Sequence, residues 1–484
     1  MRFRRLCRCK DYDPLVSYTL NRGETMLRTF VRNNRLFLAI GLSVVLGIGS
    51  GLAGRTLSLS ENAVSLVQFP GEIFMRLLKL MILPLVVTSL ISALAQMDVK
   101  NCKRMGLITL LYYLFTLFLA TALGIFLVLA IHPGDSRLKT TKEVVKTNKI
   151  SALDTVLDLI RNMFPENLVQ ATFERSQTVY IRKVVSADGN RSAEVVTKMV
   201  GDQRGINIIG IIVFCVGFGV VVSHYSEKIP VVVNFFVAMD KIIMKLMLSA
   251  MWFAPIGITS LICGSLLELD DISLAVTAMT KFTLTVLIGL FIHSFITIPV
   301  LYVLLTRKNP VNIFKYIMEG GMAALGTSSS GAALPLSIRG MEQLGGLDER
   351  VSRFVLPLGA NINMDGCALY EAVAVIFIAQ VNNVHLSAAQ IVTVSFTATI
   401  ASLGLNAVPV GLVSIFMILN TVGLPSTEVP LLFAVDWMLD RIRTSLNVFG
   451  DGFAATVVEM ALQKRLKEVP TNTRDNKRLD GIDA

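Results

Sequence analysis

The chain has 484 residues, of which 53% are hydrophobic and 17% are charged, and its formal net charge is +10. Soluble globular proteins contain about 45 to 50% apolar and about 25% charged residues, so this composition predicts a protein that crosses a membrane several times. The basic residues cluster beside apolar runs, as in cytoplasmic loops that contact anionic lipid, and this distribution excludes a nucleic-acid surface.

The N-terminal stretch, residues 1–35, is rich in arginine. We expect it to be cytoplasmic and without a cleaved signal peptide, because the first apolar run begins late and is long for a signal sequence. The chain has six cysteines, and none shows the paired spacing of a disulfide framework. Cys7 and Cys9 are expected to be free thiols, with palmitoylation near the membrane as the alternative.

Eight apolar runs are near or above the roughly 20 residues that a helix needs to cross a bilayer. These runs lie at 36–53, 70–96, 106–131, 206–223, 231–267, 275–306, 351–380 and 428–460. The run at 231–267 is overlong, and its beginning, which contains Asp240 and Lys241, is expected at the cytoplasmic interface.

The third run carries Tyr112, Tyr113 and Thr116 in an otherwise apolar helix. Polar groups about one turn apart lie on one face of a helix. Such groups are more often hydrogen-bonded within a protein core than ligands of an ion, and both interpretations remain open.

The polar stretch 135–205 follows the third run, so counting spans from a cytoplasmic N-terminus places it outside the cell. It contains the sequon Asn190-Arg-Ser, which can be glycosylated only on that side of the membrane. Within it, Leu153 to Phe173 is amphipathic and predicts a short helix against the membrane. Its last third, 174–205, predicts a flexible insertion.

Two moderately apolar segments, 310–340 and 388–425, are interrupted midway by Gly, Ser and Pro. Neither half of either segment is long enough to span a membrane, and Arg307 and Arg350 place both ends of the first segment inside. These segments predict re-entrant helical hairpins, one from each face, and such interruptions indicate a transporter's binding site. Two kinked ordinary helices are the alternative.

The run at 359–371 places Asn363, Asp365 and Glu371 within a predicted span. Side-chain oxygens and exposed backbone carbonyls are hard ligands, so a broken helix here predicts a sodium site. Glu371 lies deeper in the span, where a buried carboxyl group can carry a proton. An ion pair between Glu371 and a basic residue such as Arg443 is the alternative.

The last apolar segment, Leu431 to Glu459, is long enough to span a bilayer and yet carries several ionisable residues. A charge at the centre of a membrane helix costs roughly 2.5 to 3.5 kcal/mol, so these residues must face protein or water. At about 100° per residue they share about a third of the helix circumference, and Arg441 alone points away. This polar stripe consists of Asp436, Asp440, Arg443, Thr444, Asn447 and Asp451.

Several motifs resemble those of the excitatory amino-acid transporters, which are sodium-coupled carriers of glutamate and aspartate. The motifs are RNMFPENLV at 161–169, TSSS at 327–330, NMDG-x-ALYEA at 363–372, and AVDW-x-LDR-x-RT at 434–444 followed by Asn447 and Asp451. The resemblance covers about residues 30 to 465 in order. It implies an all-α polytopic membrane fold with eight transmembrane helices and two re-entrant hairpins. It also implies a homotrimer with an elevator mechanism and an associated chloride conductance.

The resemblance also implies a division of the chain and a location in the plasma membrane, with both termini cytoplasmic. The parts are a cytoplasmic N-terminus, a region that is mainly scaffold and trimer contact, a region that is mainly transport domain, and a cytoplasmic tail. Their bounds are 1–35, 36–274 (with the third span of the transport domain and the insertion 135–205), 275–465 (with the hairpins 310–340 and 388–425) and 466–484.

The resemblance implies roles for individual residues. Asp440 would bind the substrate ammonium, Arg443 the side-chain carboxylate and Asn447 the α-carboxylate. Other implied substrate contacts are Ser328, Ser329, Ser330, Cys367, Val408, Pro409, Gly411 and Thr444. The implied sodium ligands are Gly359, Asn361, Asn363, Asp365, Asn447, Asp451, Tyr113, Thr116 and Ser402. Glu371 matches the position linked to proton and potassium coupling, and neither a catalytic residue nor an organic cofactor is implied.

The chain departs from the family pattern at four places. Cys367 stands where threonine is usual, Leu117 replaces a hydroxyl residue beside Thr116, and Gly331 replaces a serine. The second hairpin tip, Gly404 to Gly411, is bulkier and one residue shorter than usual. Altered affinity, an altered substrate and loss of transport therefore remain open.

The sequence favours sodium-coupled symport of L-glutamate and L- or D-aspartate, with proton cotransport and potassium countertransport. The neutral amino-acid branch lacks Arg443 and Glu371, which favours an acidic substrate. The alternatives are a carrier of neutral amino acids or other zwitterions, and a substrate-gated anion conductance. An intramembrane protease is disfavoured, because Arg443 among asparagines suits ligand binding better than paired-aspartate catalysis. The expected partners are the amino acid, membrane lipid and further copies of the chain, and no nucleic acid.

Overall fold

The structure is a computed structural model that describes seven ranges of the chain, most of them helical. The described ranges are 35–57, 59–96, 103–138, 152–187, 191–269, 271–404 and 411–468. The helices before residue 270 are α1 (Arg35–Arg55), α2 (Glu61–Ala95), α3 (Lys103–Ile131), α4 (Ala152–Met163), α5 (Ile208–His224), α6 (Pro230–Ala250) and α7 (Ala254–Glu268). The later helices are α8 (Ile272–Ile292), α9 (Ile298–Thr306), α10 (Val311–Thr327), α11 (Ser330–Gln343), α12 (Glu349–Ile362), α13 (Asp365–Val381), α14 (Ala388–Gly404), α15 (Gly411–Val422) and α16 (Val429–Glu468).

The helices confirm a polytopic membrane protein. Within the described ranges, six helical segments are long and apolar enough to cross a bilayer. They match six of the eight predicted runs, and the remaining two form α5 and α16. The helix α5 has only 17 residues, and α16 carries the charged stripe, so both fail a test of length and apolar composition. The count of eight spans stays a prediction.

The insertion after α4 contains a strand pair, which corrects two predictions. Strands β1 (Glu174–Ala187) and β2 (Arg191–Arg204) form an antiparallel two-stranded sheet in which Glu174 pairs with Arg204. The fold is therefore mostly rather than entirely helical, and the segment expected as a flexible insertion contains regular paired strands. Valine, isoleucine and threonine recur in this segment, and their branched side chains favour extended backbone.

Helix α4 anchors the strand pair. The carboxylate of Asp158 accepts hydrogen bonds of 2.7 Å from both the backbone N–H and the hydroxyl of Thr178. The side chain of Asn162 bonds both the N–H and the carbonyl of Ser176, at 3.1 and 2.8 Å. The predicted amphipathic helix is thus confirmed over Ala152–Met163 but does not extend to Phe173, and its polar face holds β1. Its position against the membrane stays a prediction.

Both predicted kinds of interruption are present. The span predicted at 351–380 breaks between α12 and α13, where Asn363 and Met364 leave the helical conformation. Helices α10 and α11 pack against each other and are joined by a turn with Ser328 at φ 53°, so the first segment is a helical hairpin. Helices α14 and α15 also pack together, but residues 405–410 of the second tip lie outside the described ranges.

Helix packing forms two groups of contacts. Helix α7 packs on α1 and α2, and α2 also packs on α5 and α6. Helix α16 packs on α10, α11, α12 and α13, and α13 packs on α3. In the first group, Gly257 of α7 lies directly against Phe74 of α2, with no room for a Cβ between them. Small residues permit this close approach between apolar helices, for which the hydrophobic effect gives no driving force inside a bilayer.

Substitution Gly257→Ala tests this contact. A Cβ at this position would overlap the ring and Cβ of Phe74, so we expect a loss of about 1 to 3 kcal/mol in stability, the usual cost of overpacking. The matched control is Gly217→Ala, because a Cβ there meets no atom of the described chain within 4 Å. The thermal unfolding temperatures of the two purified variants are compared, and equal temperatures would contradict the proposed tight contact.

Candidate functional site

The centre of the candidate site is the guanidinium of Arg443 on α16, whose side chain is 0% exposed. Its Nη2 donates to Asp436 Oδ1 at 2.8 Å and to Asp440 Oδ1 at 3.2 Å. Its plane lies over the ring of Tyr370, with 3.9 Å between the guanidinium carbon and the ring centroid. Among the described residues, Nε and Nη1 have no hydrogen-bond acceptor. The arginine is therefore held on one side and keeps donors for a further anion on the other.

The polar stripe of α16 faces the protein interior, as predicted. All six of its members are buried, namely Asp436, Asp440, Arg443, Thr444, Asn447 and Asp451. Arg441, which was expected to point away from the stripe, donates through Nη1 to the carbonyls of Leu325 (3.0 Å) and Gly326. These carbonyls end α10, so Arg441 fastens the first hairpin to α16.

The first hairpin tip is built by three consecutive serines. Ser328 adopts a left-handed conformation that ends α10, and the hydroxyl of Ser329 accepts the Ala332 N–H at 3.3 Å to begin α11. Ser330 is buried, and its hydroxyl has no partner among the described residues. Backbone groups and one free hydroxyl at this tip are available to a ligand.

The tip of the second hairpin lies largely outside the described residues. Val408 and Pro409 lie outside the described residues, and Gly411 is described only as the first residue of α15. Ser402 is buried on α14 and donates to the carbonyl of Thr399 at 2.9 Å.

A second cluster of oxygen atoms lies where α12 breaks. Asn363 connects three helices there: its Nδ2 donates to Asp451 Oδ1 at 3.0 Å, and its Oδ1 accepts from Thr116 Oγ1 at 3.4 Å. A Cβ at Gly359 would overlap the Asp451 carboxylate and lie 2.6 Å from the Tyr113 hydroxyl. The predicted residues of α3, α12, α13 and α16 are thus brought together around oxygen atoms.

Two of the predicted sodium ligands have other contacts. The side chain of Asn361 is exposed and donates to the carbonyl of Pro357 at 2.9 Å, so only its backbone carbonyl can take the predicted role. Tyr113 donates its hydroxyl proton to the carbonyl of Val355 at 3.0 Å, which leaves the oxygen lone pairs unused. Among the described residues, no group of three or more His, Cys, Asp or Glu could hold a metal. Amide, phenol and carbonyl oxygens with few carboxylates suit a hard, weakly bound cation.

Two residues of these clusters were not predicted from the sequence. His293, on a π-helical turn between α8 and α9, lies with Nε2 3.2 Å from Asp365 Oδ2. Tyr370 forms the floor beneath Arg443. A lone histidine in the apolar run 275–306 was the available signal for the first, and the position of Tyr370 beside Glu371 was the signal for the second.

Glu371 has a partner that differs from the expected alternative. Its Oε1 accepts a hydrogen bond from Ser414 of α15, whereas Arg443 forms its ion pairs with Asp436 and Asp440. The suggested ion pair between Glu371 and Arg443 is therefore wrong for this conformation. The second oxygen of Glu371 is buried without a partner among the described residues.

Asn447 joins the two clusters. Its Oδ1 accepts the Gly366 N–H at 2.8 Å, at the first turn of α13. Its Nδ2 lies 3.1 Å from Met364 Sδ and 3.9 Å from Cys367 Sγ. Cys367 thus lies at the side of the candidate site, where the sequence predicted a substrate contact.

These features define a polytopic membrane protein with a buried polar binding site between a broken helix, a helical hairpin and a charged helix. A sequence model of the sodium:dicarboxylate symporter family matches residues 34–461, and the chain belongs to this family. The resemblance noted in the sequence is confirmed, and the protein is a membrane transporter rather than an enzyme.

Three relatives illustrate the similarity. The chain is 55% identical to a putative sodium-dependent excitatory amino acid transporter, glt-6, of Caenorhabditis elegans over 444 residues, 91% of this chain and 82% of the relative. It is 47% identical to an excitatory amino acid transporter of Onchocerca volvulus over 445 residues, 89% of this chain and 90% of the relative. It is 42% identical to excitatory amino acid transporter 2 of Rattus norvegicus over 479 residues, 94% and 83% of the two chains.

Substitution Asp436→Asn tests the clamp on Arg443. Removing one partner of a buried ion pair costs about 3 to 5 kcal/mol, and Asp440 at 3.2 Å is expected to recover only part of this. The control is Asp135→Asn, which removes an equally short ion pair to Arg137, 77% exposed, and should cost less than about 1 kcal/mol. Thermal unfolding midpoints give the comparison, and equal losses would contradict the structural role of Asp436.

Proposed function

We propose that the protein is a sodium-coupled symporter of acidic amino acids, with L-glutamate and L- and D-aspartate as substrates. The proposal rests on Arg443, which is fully buried and has two nitrogen atoms without acceptors among the described residues. Planar bidentate pairing with a carboxylate is the strongest use of such a group. A neutral amino acid would leave these donors unpaired, at the cost of their desolvation.

The geometry supports different roles for Asp436 and Asp440. Asp436 lies closer to Arg443 than Asp440 does, at 2.8 against 3.2 Å, and therefore orients the arginine. Asp440 then exchanges its weaker contact for the substrate ammonium, and Arg443 takes the side-chain carboxylate. Asn447 and Thr444 contact the α-carboxylate region, and Ser328, Ser329 and Ser330 close the site from the first hairpin.

Sodium ions are cotransported cargo in this proposal. Asn363, Asp451, Thr116 and the carbonyl of Gly359 form one oxygen-rich cluster, and Asp365 lies beside it. The family name and the names of the relatives support sodium as the coupling ion. Carboxylate and carbonyl oxygens at the break of a membrane helix provide the coordination that sodium uses in transporters. Ser402, on the second hairpin, would contribute when that hairpin closes.

The transport cycle is proposed to be an elevator. A homotrimer is held by the scaffold region 36–274, and the region 275–465 moves with its two re-entrant hairpins and the third span. The contacts of α16 with α10, α11, α12 and α13 support a common moving body. The protein is placed in the plasma membrane with eight spans, cytoplasmic termini, an associated chloride conductance and glycan on Asn190.

Glu371 is proposed to carry a proton with the substrate and to release it for potassium countertransport. Its carboxyl group is buried, one oxygen bonds Ser414 of the second hairpin, and the other has no partner among the described residues. A proton on the free oxygen removes a charge that would otherwise oppose passage through the membrane.

An altered substrate is the second candidate. Cys367 Sγ lies 3.9 Å from Asn447 Nδ2, where the family usually presents a hydroxyl. A thiol is a weaker hydrogen-bond partner than a hydroxyl, which favours a smaller or less polar substrate side chain. Among the described residues, no contact favours the alternative in which the protein conducts anions without transporting substrate.

The proposal is tested by uptake into proteoliposomes of labelled L-glutamate, D-aspartate, alanine and taurine, with and without an inward sodium gradient. Accumulation of the two acidic substrates that collapses without the gradient supports it. Gradient-independent uptake would overturn the coupling, and preferred uptake of alanine would favour the second candidate. Substrate-gated current without accumulation would favour the anion conductance.

Substitution Arg443→Cys is expected to reduce acidic amino-acid uptake by at least about 100-fold, since a buried charged hydrogen bond contributes roughly 2 to 5 kcal/mol. Uptake of alanine should persist or rise, because the unpaired charge that penalises it is gone. The control is Arg353→Cys on α12, whose side chain is 63% exposed, and it should transport normally. Unchanged glutamate uptake by Arg443→Cys would remove the arginine from substrate recognition.

Substitution Glu371→Gln keeps the hydrogen bond with Ser414 but cannot ionise. At a fixed sodium gradient, an inward proton gradient should accelerate glutamate uptake by the original protein and leave the variant unaffected. Glu319→Gln, on the exposed face of α10, is the control and should respond like the original protein. A proton response that survives in Glu371→Gln would assign the proton to another group.

A further inference from the structure

A small cavity lies where the outer strand pair meets the second hairpin. It has a volume of about 60 Å³, enough for a small ion or a few water molecules. Its walls come from α4, β1, the start of α5, the start of α14 and the end of α15. It is separate from the Arg443 site, and none of the predicted substrate or sodium residues lines it.

Arg175 of β1 is the cation of this cavity. Among the described residues, its Nε is buried without an acceptor, and its Nη2 has only a long bond of 3.4 Å to Gln177 Oε1. Burial lowers the pKa of Arg175, and no carboxylate raises it again. An arginine nevertheless keeps its proton in a protein, so the cavity carries a positive charge that is not balanced.

Three other polar side chains of the cavity already have partners. Asp158 accepts two bonds from Thr178 and pairs with Arg161 at 2.7 Å, so it neither neutralises Arg175 nor repels an anion strongly. Thr393 and Thr421 donate to carbonyls of their own helices. Among the buried side-chain polar atoms that line the cavity in the described chain, only Arg175 Nε lacks a hydrogen-bond partner.

Two glycines bring backbone close to the guanidinium. A Cβ at Gly205 would lie 3.7 Å from Arg175 Nε, and a Cβ at Gly423 would lie 3.6 Å from Nη2. Both glycines have positive φ, 146° and 77°, which other residues rarely adopt. Gly423 follows α15, so Arg175 reaches from the strand pair to the end of the second hairpin.

We propose that this cavity is a binding site for a small monovalent anion of the halide class, held by Arg175 between the strand pair and the second hairpin. The volume admits a halide ion. Since the walls belong to α4 and β1 on one side and to α14 and α15 on the other, the bound anion links the two sides. This inference does not depend on the proposed substrate.

The test is thermal unfolding of the purified full-length protein in detergent, at fixed sodium and fixed ionic strength, with chloride or bromide replacing gluconate. We expect a saturable rise of the midpoint on the order of 1 to 2 °C. In Arg175→Gln the rise should vanish. A halide response of the same size in Arg175→Gln overturns the proposal, as does an equal response to sulfate in the original protein.

Two further variants separate the site from general effects of charge and folding. Arg204→Gln removes an exposed arginine from the neighbouring strand and should keep the full halide response. Thr393→Met keeps Arg175 but fills the cavity, and should lose the response even if Arg175→Gln fails to fold. Loss of the response in Arg204→Gln, or its retention in Thr393→Met, contradicts the assignment.

Hydrogen exchange tests the link between the two sides. Amides at 388–396, the beginning of α14, should exchange several-fold more slowly in chloride than in gluconate in the original protein and in Arg204→Gln. In Arg175→Gln the two salts should give equal rates. Both readouts are binding measurements at constant sodium, so they remain informative even if the protein transports no acidic amino acid.

Discussion

The buried ion pairs of Arg443 are the interaction on which the rest of the candidate site depends. A guanidinium without solvent must have anionic partners, and Asp436 and Asp440 on the same helix supply them two turns and one turn earlier, respectively. The ring of Tyr370 covers the remaining face. Because the arginine is fixed in this way before any ligand arrives, it presents its free donors in one direction and needs little reorganisation on binding.

The interrupted helices complete the surroundings of α16. An unbroken α12–α13 helix would satisfy every backbone group internally and offer nothing to a ligand. The break at Asn363 and Met364 instead lets Asn447 bond the first turn of α13 and lets Asn363 reach Asp451. Arg441 holds the first hairpin against α16 in a similar way, because it donates hydrogen bonds to carbonyls in the last turn of α10. Irregular backbone at the centre of an apolar protein is thus paired to side chains of a single helix.

The local pattern of residues in the sequence predicted part of the candidate site. The remaining features depend on contacts between residues that are far apart in the sequence. The spacing of polar residues on α16 and the interruptions at Gly, Ser and Pro are local features, so their consequences were predictable. The choice of Asp436 over Glu371 as the partner of Arg443 depends on how α13 and α15 pack, which periodicity does not report. His293 is similar, since its contact with Asp365 joins residues far apart in sequence. The strand pair was missed because the anchoring bonds to Asp158 and Asn162 come from a separate helix.

The charges of the site give a physical reason for coupling an acidic substrate to cations. Arg443 supplies one positive charge, whereas the two clusters contain the buried carboxyl groups of Asp436, Asp440, Asp451 and Asp365, so acidic groups outnumber it. An acidic amino acid brings one further negative charge. Moving this assembly through a low-dielectric membrane would be prohibitive unless cations enter with it. In the proposed cycle, sodium ions at the cluster of Asn363 and Asp451, and a proton on Glu371, would supply the compensating charge at the places where the fold gathers oxygen atoms. Under the proposed function, ion coupling follows from the same burial that would make Arg443 select an acidic substrate. A site dry enough to disfavour neutral substrates would also be too dry to carry uncompensated charge.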